Sequence, residues 1–494
     1  MLRIFLVFPA LLFVFIVLLT SCEKEEFESE PFSLEFSEDT IKFDTVFTTI
    51  GSATQVFIVY NTGEKDLKVT SIRIATGESS NFRLNVDGVP GKSFTDVEIK
   101  ANDSIFIFVE VTVDPNNGTT PLIVTDSIIF NTNGLQQDVD LVAWGQDAYF
   151  HSAPKNSQIA PFFILDCNEI WNKDKPHVIY GYAIVDSACT LTVNAGTNVH
   201  LHPASGIIVA TTGTLLVNGT IQENVTFQGD RLGADYKDVP GQWDRIWLSS
   251  LNLRTNIISP GSRNSSIKYA VIKNGTIGLL VDTAFNDDTS TVTLHLENTI
   301  IKNMALHALA LRGSRVNSYN SVFANCGAQT TNILFGGKYN FYHCTFANYW
   351  NNSQRQEPAV SLNNYFDVNV RTLYSYFGNC IIHGNNENEF GIDSFPVSGQ
   401  LNFTIDHTLL KVESSFPTSN PARYNAILKA YNGINDPLFT DIDNNIYELD
   451  SANSPAINAG NISITNLSPI LQTDIKGFSR TSAPAPDMGA YERR

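Results

Sequence analysis

Apolar residues along this chain come in short runs separated by Asn, Gly, Ser and Thr, and over the second half the runs repeat one phrase. It reads YAVIKNG from Tyr269, NTIIKNM from Asn298, NSVFANC from Asn320, HCTFANY from His343, NCIIHGN from Asn379 and HTLLKVE from His407. Each copy opens on a polar or aromatic residue, continues with a small one and two apolar ones, and in most cases closes on Asn or Gly. The small residues stand at 270, 299, 321, 344, 380 and 408, and the closest copies are 22 and 23 residues apart. A repeat of this length is one turn of a coil that stacks on its neighbours because it cannot bury its apolar face alone. The residues are β-branched and aromatic and show no helical period, so the turns are made of strands. A second strand precedes successive phrases: IGLLVD from Ile277, HALALRG from His307, TNILFGG from Thr331 and AVSLNN from Ala359.

The pattern predicts a right-handed parallel β-helix in which one phrase position stacks on the next at about 4.8 Å. Asn274, Asn303, Asn325 and Asn348 are expected to form a ladder, each amide bonding to the corners above and below. Cys344 and Cys380 share a position that wants a small buried side chain. The period loosens upstream but persists in LTVNAGTNVHLH and GIIVATTGTLLVNG, which places the coil at residues 160–440. This stretch, with GQWDRIWL from Gly241, resembles the pectate-lyase-like superfamily of parallel β-helix proteins. That resemblance implies architecture more than activity, since the same coil carries lyases, hydrolases, adhesins and spacers.

Between Phe32 and Ala148 the period changes to alternating strands of five to eight residues, separated by turn signals such as Asn61-Thr62-Gly63 and Asp87-Gly88. An antiparallel sandwich is expected over residues 32–148, followed by a linker at 149–159. The run QVFIVYNTGEKDLKVTSI resembles Ig-like domains of the abnormal-spindle and hydin group, which implies a spacer or protein-binding unit. The chain is therefore expected to be all-β: an Ig-like sandwich, then a right-handed parallel β-helix with a C-terminal cap.

Ile4 to Leu19 is almost continuously apolar and ends at Leu19-Thr20-Ser21-Cys22, short for a membrane span and suited to a secretory signal. Leu-Thr-Ser-Cys resembles bacterial lipoprotein signals, which implies a signal peptide at residues 1–21, lipidation of Cys22 and an acidic tether at 22–31. Lys24, Glu25 and Glu26 resemble the signal that sends some lipoproteins to the outer face of the outer membrane, and membrane attachment is expected through the lipid alone. At the other end DPLFTDIDNNIYELDSANSPAINAG, TDIKGFSR and PAPDMGAYE resemble the choice-of-anchor Q tail of secreted β-helix proteins. Residues 441–494 are read as a cap over the last turn, fixed by Asp474, Arg480, Asp487 and Glu492.

The balance of 32 basic against 50 acidic residues, net −18, argues against nucleic acid and against unaided binding of polyanions. Cys167 and Cys189 are candidates for a disulfide near the start of the coil. From 298 to 356 there is no Asp or Glu, while Lys302, Arg312, Arg315, Lys338 and Arg355 supply positive charge among many aromatics. Rings stack on the CH face of sugars and cations take hydroxyls or carboxylates. Arg312, Arg315 and Lys338, with Tyr339 or Trp350 as stacking partners, are expected to line one glycan-binding strip; the alternative is that many of these aromatics are core residues.

No catalytic set is identified, and no metal site. Asp230, Asp235, Asp238 and Asp244 with Arg231, Lys237 and Arg245 form an acidic insertion that suits a solvated loop, a catalytic loop or, under a lyase reading alone, a Ca²⁺ site. Asp441 to Asn445 opens like a Ca²⁺ loop but lacks its Gly and its closing acid. His295, His307, His343 and His383 are isolated and read as structural or surface residues. The expected function is binding of an extracellular polysaccharide or surface protein without a cofactor. The alternatives are a polysaccharide lyase or glycoside hydrolase, and a structural envelope protein.

Overall fold

The computed structural model describes residues 26–493 apart from 48–50, 53, 114–121, 155–160, 251–260, 284–290, 396–399, 451–452 and 483. Cys22, Lys24 and Glu25 lie outside the described residues, and Glu26 is exposed. The chain forms two compact units that divide between Asp147 and Ala148.

The first unit is two five-stranded sheets. Gln55–Asn61 pairs antiparallel with Asp103–Val111, and Leu67–Ile74 with Leu122–Thr132. Thr40–Phe47 joins the second sheet parallel to Leu135–Gln146. Successive side chains in a strand point to opposite faces, so Phe57, Val59, Ile107 and Val109 turn inward and share one core with Val69, Ile72, Phe130 and Leu141. Buried Asn61 donates its amide to the carbonyls of Lys65, Ile99 and Lys100 and accepts from the Gly63 N–H, closing the turn that the sequence marked.

The second unit is three parallel sheets of eleven, nine and ten strands, stacked as in a parallel β-helix. They are called first, second and third in the order the chain visits them within a turn. The repeated phrase forms the corner into the first sheet and the strand after it. Tyr269, Asn298, Asn320, His343, Asn379 and His407, the opening residue of every copy, all have φ between 44° and 53°. This left-handed backbone turns the chain sharply and favours Asn among non-glycine residues.

The following residue is small, and in every copy but the first, where it is Ala270, it is also a donor. Thr299 Oγ1 donates to the carbonyls of Glu297 and Ile267, and Thr408 Oγ1 to those of Asp406 and Phe377. Cys344 Sγ bonds the Tyr342 and Ser318 carbonyls at 3.5 and 3.7 Å, and Cys380 Sγ those of Gly378 and Phe341 at 3.4 and 3.6 Å. The thiols do the work of hydroxyls, tying each corner to the turn before it. Of the two apolar residues that come next, Ile301, Phe323, Phe346, Ile382 and Leu410 point into the coil and are fully buried. Their neighbours Ile300, Val322, Thr345, Ile381 and Leu409 point outward.

The four asparagines stack in register as expected, but their amides do not form one continuous ladder. Asn274 and Asn303 donate to the Lys237 carbonyl and the Asp238 carboxylate, pinning the acidic insertion against the first sheet. Asn325 accepts from the Tyr349 N–H and Asn348 from the Cys326 N–H, so only these two link adjacent turns.

The coil begins earlier than expected: Tyr149–Ser152, assigned to a linker from sequence, is its first strand and pairs with His177–Tyr180. In its first turns Trp171 stacks on His177 and lies tilted by 33° against His151, and the two imidazoles share a 2.9 Å hydrogen bond. Burial, with His151 alongside, pulls His177 down to about 4, and burial does the same to His200. Cys167 and Cys189, on successive turns, form a disulfide, while Cys326, Cys344 and Cys380 are free and buried. At the far end Phe416 and Ile427 pack on the last core residues.

The C-terminal segment therefore does not cap the last turn; it lies along the outside of the first sheet. Tyr447, Ile475 and Ala490 pack on Val322, Ala324 and Ala347, and Leu449, Ala456 and Met488 on Ile381, Leu409 and Ala430. The outward apolar row of the phrase needs this cover, because it would otherwise face water. Asp474, Arg480, Asp487 and Glu492 do form one network. Fully buried Arg480 pairs with Glu492 at 3.1 Å and donates to the Gly489 carbonyl. Glu492 accepts the Asp487 N–H, and Asp474 accepts the N–H groups of Lys476, Phe478 and Glu492.

Replacing Arg480 by Met strands a buried carboxylate and is expected to cost about 3–5 kcal/mol. Limited proteolysis should then cut the flanking segment first, and light scattering should show association through the uncovered row. Unchanged cleavage and monomer content would contradict the flank. A second expectation concerns acid. The imidazole of His177 is depressed in the folded state, so below about pH 6.5 the unfolded chain binds a proton that the coil refuses. Its contribution is present above pH 6.5 and lost as pH falls towards 4. Melting temperatures of wild type and His177→Phe, followed from pH 7 to 4.5, should draw closer as acid is added; a constant gap would place the ring in solvent.

Candidate functional site

The outer face of the third sheet gathers the polar and aromatic residues that the core does not use. In parallel strands of this register, alternate residues make three outward rows along the coil axis. Arg315, Lys338, Tyr374 and Asn402 stand one above another on four successive turns. Beside them run His295, Asn317, Asn340, Tyr376 and Thr404, and next to these Glu297, Tyr319 and Tyr342. Tyr319 and Tyr342 stack with centroids 5.6 Å apart, and Tyr342 meets Tyr376 at 5.4 Å.

Gly378 follows Tyr342 in its row, and a Cβ there would come within 2.6 Å of the Tyr376 ring. Its lack of a side chain is what lets that ring lie beside Tyr342. The Asn340 amide donates to Asn317 at 2.9 Å, and Tyr376 donates to Asp406 at 2.9 Å. Burial raises the Tyr319, Tyr342 and Tyr376 hydroxyls above their ordinary range, with Glu297 adding at Tyr319 and Asp406 at Tyr376. These phenols are neutral donors at physiological pH. A shallow depression of about 420 Å³ opens over the lower part of the face, between Asn340, Tyr374, Tyr376, Asn402 and Arg423. Tyr374 is its most open ring, 52% exposed.

Arg315 and Lys338 are thus brought together in register, while the other three residues expected on that strip are not. Arg312 ends a second-sheet strand and is held bidentately by Asp282 of the preceding turn, at 2.8 and 3.0 Å. Tyr339 is fully buried, its hydroxyl accepting from the Ser314 N–H and donating to the Gly336 carbonyl. It follows Lys338 directly in one strand, so the pleat sends the two to opposite faces. Trp350 follows a first-sheet strand at a different corner and donates to Ser353. Tyr319, Tyr342, Tyr374 and Tyr376 were missed as a set, although their alternation with Phe341 and Phe377 marks them as outward.

The acidic insertion does not converge. Asp230 binds His202 at 2.7 Å, Asp244 binds Tyr182 at 2.6 Å and Arg245, and Asp238 binds Asn303. Among the described residues no three His, Cys, Asp or Glu side chains are placed to hold a metal. His343 is buried between Thr465 and Asn379, and His383 bonds Tyr349. Among the described residues no helix is long and apolar enough to cross a membrane.

No protein-family profile and no curated protein matches the chain. Among solved structures, a family 123 glycoside hydrolase from Clostridium perfringens, described for glycolipid glycan hydrolysis, aligns over 24% of this chain and 30% of its own. Identity is 9% and the TM-score 0.17, too slight a likeness to carry an argument.

Proposed function

We propose that this is an exported, lipid-anchored protein of the outer membrane, facing the cell surface, whose coil binds an extracellular glycan on the outer face of its third sheet. The observation that carries this reading is the juxtaposition of stacked Tyr319 and Tyr342, and the adjoining ring of Tyr376, with Arg315 and Lys338, one turn apart. Tyrosine rings offer a flat apolar surface to sugar CH groups and a hydroxyl to their oxygens. The two cations favour a glycan that carries carboxylates, and their spacing of one turn, about 4.8 Å, allows successive sugars to be held on successive turns. The Asn317, Asn340 and Asn402 amides supply donors and acceptors for hydroxyls. Export is supported by the Cys167–Cys189 disulfide, a linkage that persists in oxidising compartments. The short apolar run before Cys22 supports lipidation.

The combined change Arg315→Ala, Lys338→Ala and Tyr374→Ala should lower affinity for uronic-acid-rich oligosaccharides at least about tenfold, roughly one good charge-assisted contact. It should leave the fold intact by circular dichroism, since all three side chains point outward. Asp235→Ala with Asp238→Ala should leave binding unchanged. Release of unsaturated sugars that depends on the acidic insertion and on Ca²⁺ would replace this reading with that of a lyase.

A further inference from the structure

The opening residues of the repeated phrase do a second job besides turning the chain. Asn320 donates its amide to the carbonyls of Ile470 and Thr473, at 2.9 and 3.0 Å. His343 bonds the Thr465 hydroxyl, and Asn379 exchanges two hydrogen bonds with the backbone of Asn461, at 3.0 and 2.8 Å. Three successive rungs therefore hold polypeptide, the C-terminal segment of this same chain. The next rung up the coil is Asn298. It has the same residue type and the same left-handed backbone, with φ 51°. Its side chain is 5% exposed, and its Oδ1 is buried without a hydrogen-bond partner. A buried acceptor left unpaired carries the full cost of its lost hydration.

The outward apolar row tells the same story. Val322, Thr345, Ile381 and Leu409 are covered by the flanking segment, whereas Val271 and Ile300, two rungs further up, are only half buried. A cavity of about 380 Å³ opens there, lined by Tyr269, Val271, Asn298, Ile300, Ile475 and Tyr491 among others. It adjoins the seat of the C-terminal segment, whose Ile475, Lys476, Phe478 and Tyr491 form part of its wall.

We propose that this cavity is a docking site for an extended peptide segment of a partner protein, which places an aromatic or large aliphatic side chain among Val271, Ile300 and Tyr491 and donates a backbone N–H to Asn298 Oδ1. The lining is mainly apolar, which suits a peptide side chain better than a sugar ring. Among the rungs beyond it, Asn379 accepts a backbone N–H through its side-chain oxygen and Asn320 donates to backbone carbonyls, and the site is separate from the third-sheet face.

The test is selection of a phage-displayed heptapeptide library on the full chain, followed by titration of the enriched peptides against wild type and two variants. Asn298→Gly removes the acceptor and tolerates the positive φ. Ile221→Arg alters a residue at the lip of the cavity that is 40% exposed, so folding is not at stake. Enriched peptides should share a large apolar residue and bind each variant at least tenfold more weakly, with melting temperatures that show both folded. Failure of any peptide to enrich, or equal binding to all three proteins, overturns the proposal. Oligosaccharide binding that is lost in Asn298→Gly while no peptide binds would reassign the cavity to sugar.

Discussion

The structure of the second unit rests on one corner. A residue in the left-handed region redirects the chain, and at four of the six corners the residue after it, Thr299, Cys344, Cys380 or Thr408, returns a hydroxyl or thiol hydrogen bond to the turn before. Without the first, the strand would run on; without the second, successive corners would be tied by backbone hydrogen bonds alone, such as those from the Asn320 and Asn379 N–H groups to the Tyr342 and Asp406 carbonyls. Together they hold each turn in register with its neighbour. Register in turn decides which side chains meet, because a slip by one residue moves a whole row from inside to outside.

From that register follow the two surfaces described. On the first sheet the outward row of the phrase is apolar, and the chain spends its last residues covering it, held by the buried Arg480 and Glu492 pair. On the third sheet the outward rows carry tyrosine, asparagine and cation beside His295 and Glu297, and the in-register strands align them into one face. The partners of Arg312 and Arg355 show the same geometry at work: each is held by an acid about thirty residues away that the coil brings alongside.

Much of this was legible in the sequence, for a definite reason. A repeat near 22 residues with β-branched pairs leaves little choice but stacked parallel strands, and alternation in the first unit leaves little choice but a sandwich. The four residues of the Asp474 network were also legible as a unit, though not where it sits. Two adjacent apolar residues look alike in a string, so Val322 could not be told from Phe323, and the need for a covering flank stayed hidden. The acid-free window was real along the chain but not in space, where Asp282 and Glu389 neutralise two of its five cations. Tyr339 directly follows Lys338 in one strand, so the two cannot share a face. The pleat that buries Tyr339 is the same one that presents Lys338.

The functional account stands on whether a glycan lies along the stacked tyrosines of the third sheet. Hydrogen–deuterium exchange with a saturating uronic-acid-rich hexasaccharide measures this directly, by showing which segments the ligand protects. The account predicts protection confined to residues 315–319, 338–342 and 373–378, with the loop around Trp350 and the first unit unchanged. Protection centred on the acidic insertion at 230–245, or on the first unit, would contradict it.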